Sequence, residues 1–137
     1  MVNRFEQFLI NTAAEGVCYA DEVGSPNLKL FLDTFYMNIE EDYIGEAIIT
    51  AGDKLGHLHI GECNRKTPGK GHMPWDEIMR ALKTINYQGR IVMEPFTRMG
   101  GDVGCDIRVW RDLSGNAGEE RMDADAKVAL EFIRGKF

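Results

Sequence analysis

The chain has 137 residues, 44% of them apolar and 28% charged, with a formal net charge of −6 at neutral pH. That length and composition fit one domain with a workable core, and the acidic balance disfavours general affinity for nucleic acid or for an anionic membrane. No apolar run is long enough to cross a bilayer, since Glu15 and Gly16 interrupt the stretch from Ala13 to Ala20; no secretory signal is read at the amino terminus, and the expected compartment is the cytoplasm.

In chain order, Phe5, Phe8, Leu9, Thr12, Ala13, Gly16, Val17 and Ala20 recur at three- and four-residue steps and predict an amphipathic helix closing near Gly24-Ser25-Pro26. Leu28 to Asp33 reads as a strand. Asn38 with Glu41 three residues later resembles a capping box and opens a second helix, with Ile39, Tyr43, Ala47 and Ile48 inward, ending around Gly52 to Lys54. Leu55 to Ile60 is the next strand. Pro74 suits a first helical turn, and Ile78, Ala81, Leu82 and Ile85 give a third helix one apolar face. Tyr87-Gln88-Gly89 turns the chain into the strand Arg90 to Glu94. The glycine-marked segment Pro95 to Gly118 exceeds ordinary loop length and is either functional or partly helical. A last helix is expected from Asp123 or so to Arg134, with Ala126, Ala129, Leu130 and Ile133 inward.

The order α-β-α-β-α-β-α implies parallel strands with right-handed crossovers, and the run Leu30, Phe31, Leu32 suits a strand covered on both faces. Three parallel strands make a poor complete domain, so the chain reads as part of something larger. In parallel sheets, ligands collect at the carboxyl ends of strands, and Asp33, His59 and Glu94 stand at three such ends. Any one of them is compatible with a capping or solvated role; together they point to a metal site. Period-two alternation puts His57 and His59 on one face, which favours His59 as the ligand and leaves His57, one layer deeper, to packing or to supporting the ligands from behind. Carboxylates and imidazole without thiolate suit Mn²⁺, Co²⁺ or Mg²⁺ rather than structural zinc. Cys18, Cys63 and Cys105 are odd in number, lack CxxC spacing and read as plain thiols.

Five runs carry a family resemblance: Asn3-Arg4-Phe5-Glu6; Leu32-Asp33-Thr34-Phe35 with Met37-Asn38-Ile39-Glu40-Glu41; Gly56-His57-Leu58-His59 with Gly61-Glu62-Cys63-Asn64-Arg65; Pro68-Gly69-Lys70-Gly71; and Val92-Met93-Glu94-Pro95-Phe96 with Arg98-Met99-Gly100-Gly101. In order and spacing, over nearly the whole chain, they resemble the D-tagatose and D-psicose (allulose) 3-epimerases, which are xylose isomerase-like TIM barrels. The resemblance implies an α/β fold, the carboxyl-terminal half of a (β/α)8 barrel, with residues 1–137 forming one partial domain that carries strands six to eight. It implies Asp33, His59 and Glu94 as three of four metal ligands, with Mn²⁺ the favoured ion and Co²⁺ or Mg²⁺ the alternatives. Glu94 also falls on one of the two glutamates that exchange the C3 proton of a ketohexose, and Glu6 and Arg65 fall on substrate contacts. Where the family usually has a substrate-contacting histidine this chain has Tyr36, a phenol that donates a hydrogen bond but cannot act as an imidazole near neutral pH. The family's other catalytic glutamate, also its fourth ligand, would immediately precede Met1.

The implied activity is metal-dependent ketose 3-epimerisation through an enediolate, with the isolated 137 residues expected to be inactive or nearly so. An aldose-ketose isomerase of the same superfamily and a non-catalytic metal- or sugar-binding remnant stay open. An abasic-site endonuclease is disfavoured by the net charge of −6 and by the lack of a multi-histidine zinc pattern. The implied partners are a ketohexose and, because two strand edges and an apolar barrel face would be left open, a second copy or the missing amino-terminal half. Elsewhere, Lys70 reads as part of a turn, Trp75 and Trp110 as packing or subunit contacts, and Glu119, Glu120, Asp123 and Asp125 as a solvated helix start.

Overall fold

The computed structural model describes residues 1–137. Three parallel strands, β1 (Leu30–Asp33), β2 (Leu55–Ile60) and β3 (Arg90–Met93), lie side by side in sequence order. Around them run α1 (Ala13–Val23), α2 (Thr34–Glu40), α3 (Ile44–Ala51), α4 (Trp75–Thr84), α5 (Gly101–Asp106) and α6 (Glu119–Arg134), with a 3₁₀ turn at Gly52–Lys54 leading into β2.

The strand alternation decides what each face of the sheet meets. Leu30, Leu32, Leu58 and Ile60 join Ile48, Ile78, Met79 and Leu82 in one apolar core between sheet and helices. Leu32 and Leu58 are fully buried there, each stabilising the fold by about 1.5–3 kcal/mol. The residues between them, Phe31, His57 and His59, point the other way, in register with Arg90 and Val92 of β3. That second face stays open: Phe31 is 43% exposed and Val92 40%. The expected cover on both faces of Leu30 to Leu32 is therefore corrected, because the helices lie on one side only. β1 and β3 are both edges of the sheet.

Three helix boundaries also differ from expectation. The first helix does not begin at Phe5. Residues 4–6 form a turn in which the Asn3 side chain accepts from Phe5 N–H and the Asn3 carbonyl accepts from the amides of Glu6 and Gln7. α1 starts at Ala13, behind a capping box made by Thr12 and Glu15. Phe5, Phe8 and Leu9, counted as its apolar face, are exposed. The expected capping box at Asn38 and Glu41 does not form, and one predicted helix is two. Asp33 caps α2, the chain breaks at Glu41 to Tyr43, and α3 restarts with Ile44, Ala47, Ile48 and Ala51 inward while Tyr43 is exposed. The Glu41 carboxylate instead accepts from Ala13 N–H at 2.7 Å, serving the first turn of α1 across the fold. α6 begins at Glu119, with Glu119 and Glu120 in the turn where negative charge suits the helix dipole. Its inward residues are Ala129 and Ile133, and Leu130 is exposed. The long segment after β3 is partly helical, through α5.

Candidate metal and sugar site

β1 runs straight into α2, so Asp33 is at once the last strand residue and the helix N-cap. Its Oδ1 accepts from Phe35 N–H at 2.8 Å. The end of β1 is clipped to the loop after β2 by the buried Thr34, whose Oγ1 donates to the Gly61 carbonyl at 2.9 Å and accepts from Gly61 N–H at 3.0 Å. Glu94 follows β3, and its amide continues the ladder by donating to the Ile60 carbonyl at 3.0 Å. These connections bring one ligand atom each from Asp33, His59 and Glu94 within 4.8 Å of one another. His59 Nδ1 is 3.3 Å from Glu94 Oε1. His57 lies one layer away, its ring edge-on to those of His59 and Phe31, and takes no part in the triad.

The donor set fits a hard or borderline divalent cation. It offers two carboxylates and one imidazole, with no thiolate, and Asp33 is only 3% exposed. Burial pushes the Asp33 carboxyl above its ordinary range, against the opposing pull of the Arg65 guanidinium beside it. Arg65 Nη1 donates to Asp33 Oδ2 at 3.1 Å and to Glu94 Oε2 at 3.2 Å. The guanidinium also lies over the rings of Phe35, Tyr36 and Phe96, at 4.0, 4.8 and 5.1 Å from their centroids. This arginine therefore ties together two members of the triad and an aromatic wall.

Glu6 and Tyr36 meet beside it. The Tyr36 hydroxyl donates to Glu6 Oε2 at 3.0 Å, and Asn3 Nδ2 donates to Glu6 Oε1 at 2.9 Å. Glu6 thus lies in a turn and is held by a phenol. Burial first, then the hydrogen bond and charge of Glu6, push the Tyr36 phenol up to about 12, the Arg65 charge opposing them. A cavity of about 790 Å³ opens here, walled by Glu6, Phe35, Arg65, Phe96 and the segment around Trp110. Trp110 is exposed on its rim, whereas Trp75 is buried in the core.

Sequence reasoning gave no role to Glu62, which is the buried anchor of the loop between β2 and α4. Its carboxylate takes three N–H donors, from Gly69, Met73 and the Trp75 indole. The one available signal was an acid set just past a strand and followed by glycines at 69 and 71; a Cβ on Gly71 would run into this carboxylate. Thr34, Phe35 and Phe96 carried no signal beyond membership of the quoted runs.

A sequence profile of the family described as xylose isomerase-like TIM barrel matches residues 1–132. The D-psicose 3-epimerases of Agrobacterium fabrum and Ruminiclostridium cellulolyticum are 59% and 60% identical to this chain over 134 residues, which are 98% of the chain and 46% of each relative. The solved D-psicose 3-epimerase from Clostridium cellulolyticum H10, a structure with D-tagatose, matches with a TM-score of 0.97 and 59% identity over 98% of this chain and 47% of that one. The chain spans about half the length of the relatives it matches, so its three strands are part of a barrel. These 137 residues belong to the xylose isomerase-like TIM-barrel family.

Proposed function

We propose that the chain is the carboxyl-terminal half-barrel, one partial domain, of a metal-dependent ketose 3-epimerase of the cytoplasm. The convergence of Asp33, His59 and Glu94 within 4.8 Å carries this reading, and identities of 59% and 60% to D-psicose 3-epimerases support it. The substrate is a ketohexose such as D-psicose, D-fructose or D-tagatose. A divalent cation held by Asp33, His59 and Glu94, Mn²⁺ in the first instance and Co²⁺ or Mg²⁺ by the same donor chemistry, supplies Lewis-acid stabilisation of the charge that builds on ketose oxygens as the C3–H bond breaks.

The chain's own residues then divide the work. Glu94 takes or returns the C3 proton on one face of the sugar. Arg65 holds the Asp33 and Glu94 carboxylates and offers its remaining N–H groups to sugar oxygens; Glu6, on the cavity wall, and Tyr36, bonded to it, contact the sugar. Phe35 and Phe96 keep water from the guanidinium. Inverting C3 requires a proton to leave one face and arrive on the other, and Glu94 reaches one face only. The 137 residues by themselves therefore turn over little or no ketose. Full activity requires a second polypeptide segment across the open face of the sheet, either a second copy or the other half of the barrel.

Incubating the chain with Mn²⁺ and D-fructose, and measuring D-psicose by chromatography, tests the half-site claim; robust turnover would overturn it. Titration calorimetry with Mn²⁺ tests the metal claim, which fails if no binding is seen.

A further inference from the structure

Glu62 has no exposed surface at all. Its partners are N–H groups, those of Gly69 at 2.6 Å, Met73 at 3.1 Å and Trp75 Nε1 at 2.8 Å. A buried carboxyl group is costly to keep unless its oxygens are satisfied, and an apolar side chain would fill the same space without that cost. Geometry is what the carboxylate contributes. It fastens residues 69 to 75, including the start of α4, back onto position 62.

The same residue closes the turn that carries Arg65. Glu62 N–H donates to the Lys66 carbonyl at 3.1 Å, and Arg65 N–H donates to the Glu62 carbonyl at 2.9 Å. Within that turn Arg65 has φ +60, the left-handed region that an L side chain resists. Such a conformation persists only where the surroundings over-determine it, and it gathers at functional sites. The Arg65 carbonyl accepts from Phe96 N–H at 2.9 Å, which locks the turn to the loop after β3.

We infer that Glu62 is a positioning residue: its buried carboxylate holds the loop from 62 to 75 in the shape that keeps Arg65 left-handed and aims the guanidinium at Asp33 and Glu94. The catalytic value of that aim rests on the function proposed above, whereas the positioning itself does not.

The test is a spectroscopic one on the full 137-residue chain, without metal or sugar. With the guanidinium over three rings, the Arg65 side-chain Nε–H resonance is expected upfield, and Arg65→Lys assigns it by deleting it. Glu62→Gln replaces one accepting oxygen with an amide group that faces donors. It is expected to move the Arg65 resonance downfield to the position of a solvated arginine while the methyls of Leu32, Leu58 and Ile78 keep their shifts. Trp75→Phe removes one donor and leaves both carboxylate and apolar ring, so a partial movement is expected. An Arg65 resonance that stays in place in Glu62→Gln, while the Gly69 and Met73 amides lose exchange protection, overturns the inference. If Glu62→Gln does not fold, Trp75→Phe decides: movement supports the inference and an unmoved resonance overturns it. Failure to bind Mn²⁺, or robust turnover of a ketose by the chain alone, would count against the proposed function and leave this result untouched.

Discussion

The two oxygens of Asp33 have separate duties, and substitution can divide them. Oδ1 caps α2 through Phe35 N–H, while Oδ2 faces Arg65 and the triad. Asparagine keeps a capping oxygen and loses the charge; alanine loses both. A cap of this kind stabilises by about 1 kcal/mol, which in a chain of this size moves the melting temperature by about 3–4 °C. Asp33→Ala should therefore melt roughly that far below Asp33→Asn. The charge acts with the opposite sign. Burial raises the Asp33 carboxyl, so the folded chain holds that proton more tightly than the unfolded one. The stability it contributes is complete below the ordinary value of 3.8 and is lost as pH rises through the higher folded value. At neutral pH the ionised group burdens the metal-free fold, and Asp33→Asn should melt at or above the parent.

Metal reverses that ranking. With Mn²⁺ at a hundred times its dissociation constant, the parent gains about 2.7 kcal/mol, a rise of roughly 10 °C by the same conversion. Both variants should lose that rise, and differential scanning calorimetry with and without Mn²⁺ measures all three chains. Equal metal-free melting of Asp33→Asn and Asp33→Ala would refute the capping argument. An undiminished Mn²⁺-dependent rise in Asp33→Asn would refute the assignment of Asp33 as a ligand.

Thr34→Val keeps the shape of the side chain but strands the Gly61 N–H and carbonyl that Thr34 Oγ1 serves, for a loss of about 2–5 kcal/mol in urea unfolding. Thr34→Ser should retain most of the stability, and equal losses in the two variants would contradict the clip. Tyr36 should be the last of the four tyrosines to ionise, at about 12; its neutral form favours the fold below pH 10, and that contribution disappears between 10 and about 12. Tyr36→Phe should erase this final phenolate step in ultraviolet titration, and its persistence would assign the step to another residue. Because Phe31 and Val92 leave the second sheet face open, the chain should self-associate; Val92→Lys should reduce the association, and a monodisperse 15.5 kDa parent without dye binding would refute the idea.

What could be read from the sequence is what is set over short distances. A period of two fixes which residues of β1 and β2 share a face, and strand ends fix where Asp33, His59 and Glu94 emerge, so the triad was visible before any packing was known. Helix starts were less visible, because two segments carry the same signal. Asn38 with Glu41 and Thr12 with Glu15 both have capping-box spacing, yet only the second pair forms one. The choice is tertiary, since Glu41 finds the Ala13 amide, 28 residues away. Phe5, Phe8 and Leu9 misled for another reason. They continue an apolar period, but the side chains of Asn3 and Gln7 bond the local backbone and hold it in a turn instead.

Several residues that break local rules lie close to the triad, and this links fold to function. Asp33 is a carboxyl group buried with its pKa raised, Arg65 is left-handed without being glycine, and Phe31 and Val92 are apolar residues left facing outward on a sheet. None of these features improves the stability of 137 isolated residues. The buried charge fits the cation site proposed above, the left-handed arginine bridges Asp33 and Glu94, and the open face leaves a surface on which further strands of a barrel can pack. Sequences agree with their folds at every level except where function demands otherwise. Here those exceptions fall in β1, in β3 and in the loop that carries Arg65, and the relatives are about twice as long as this chain.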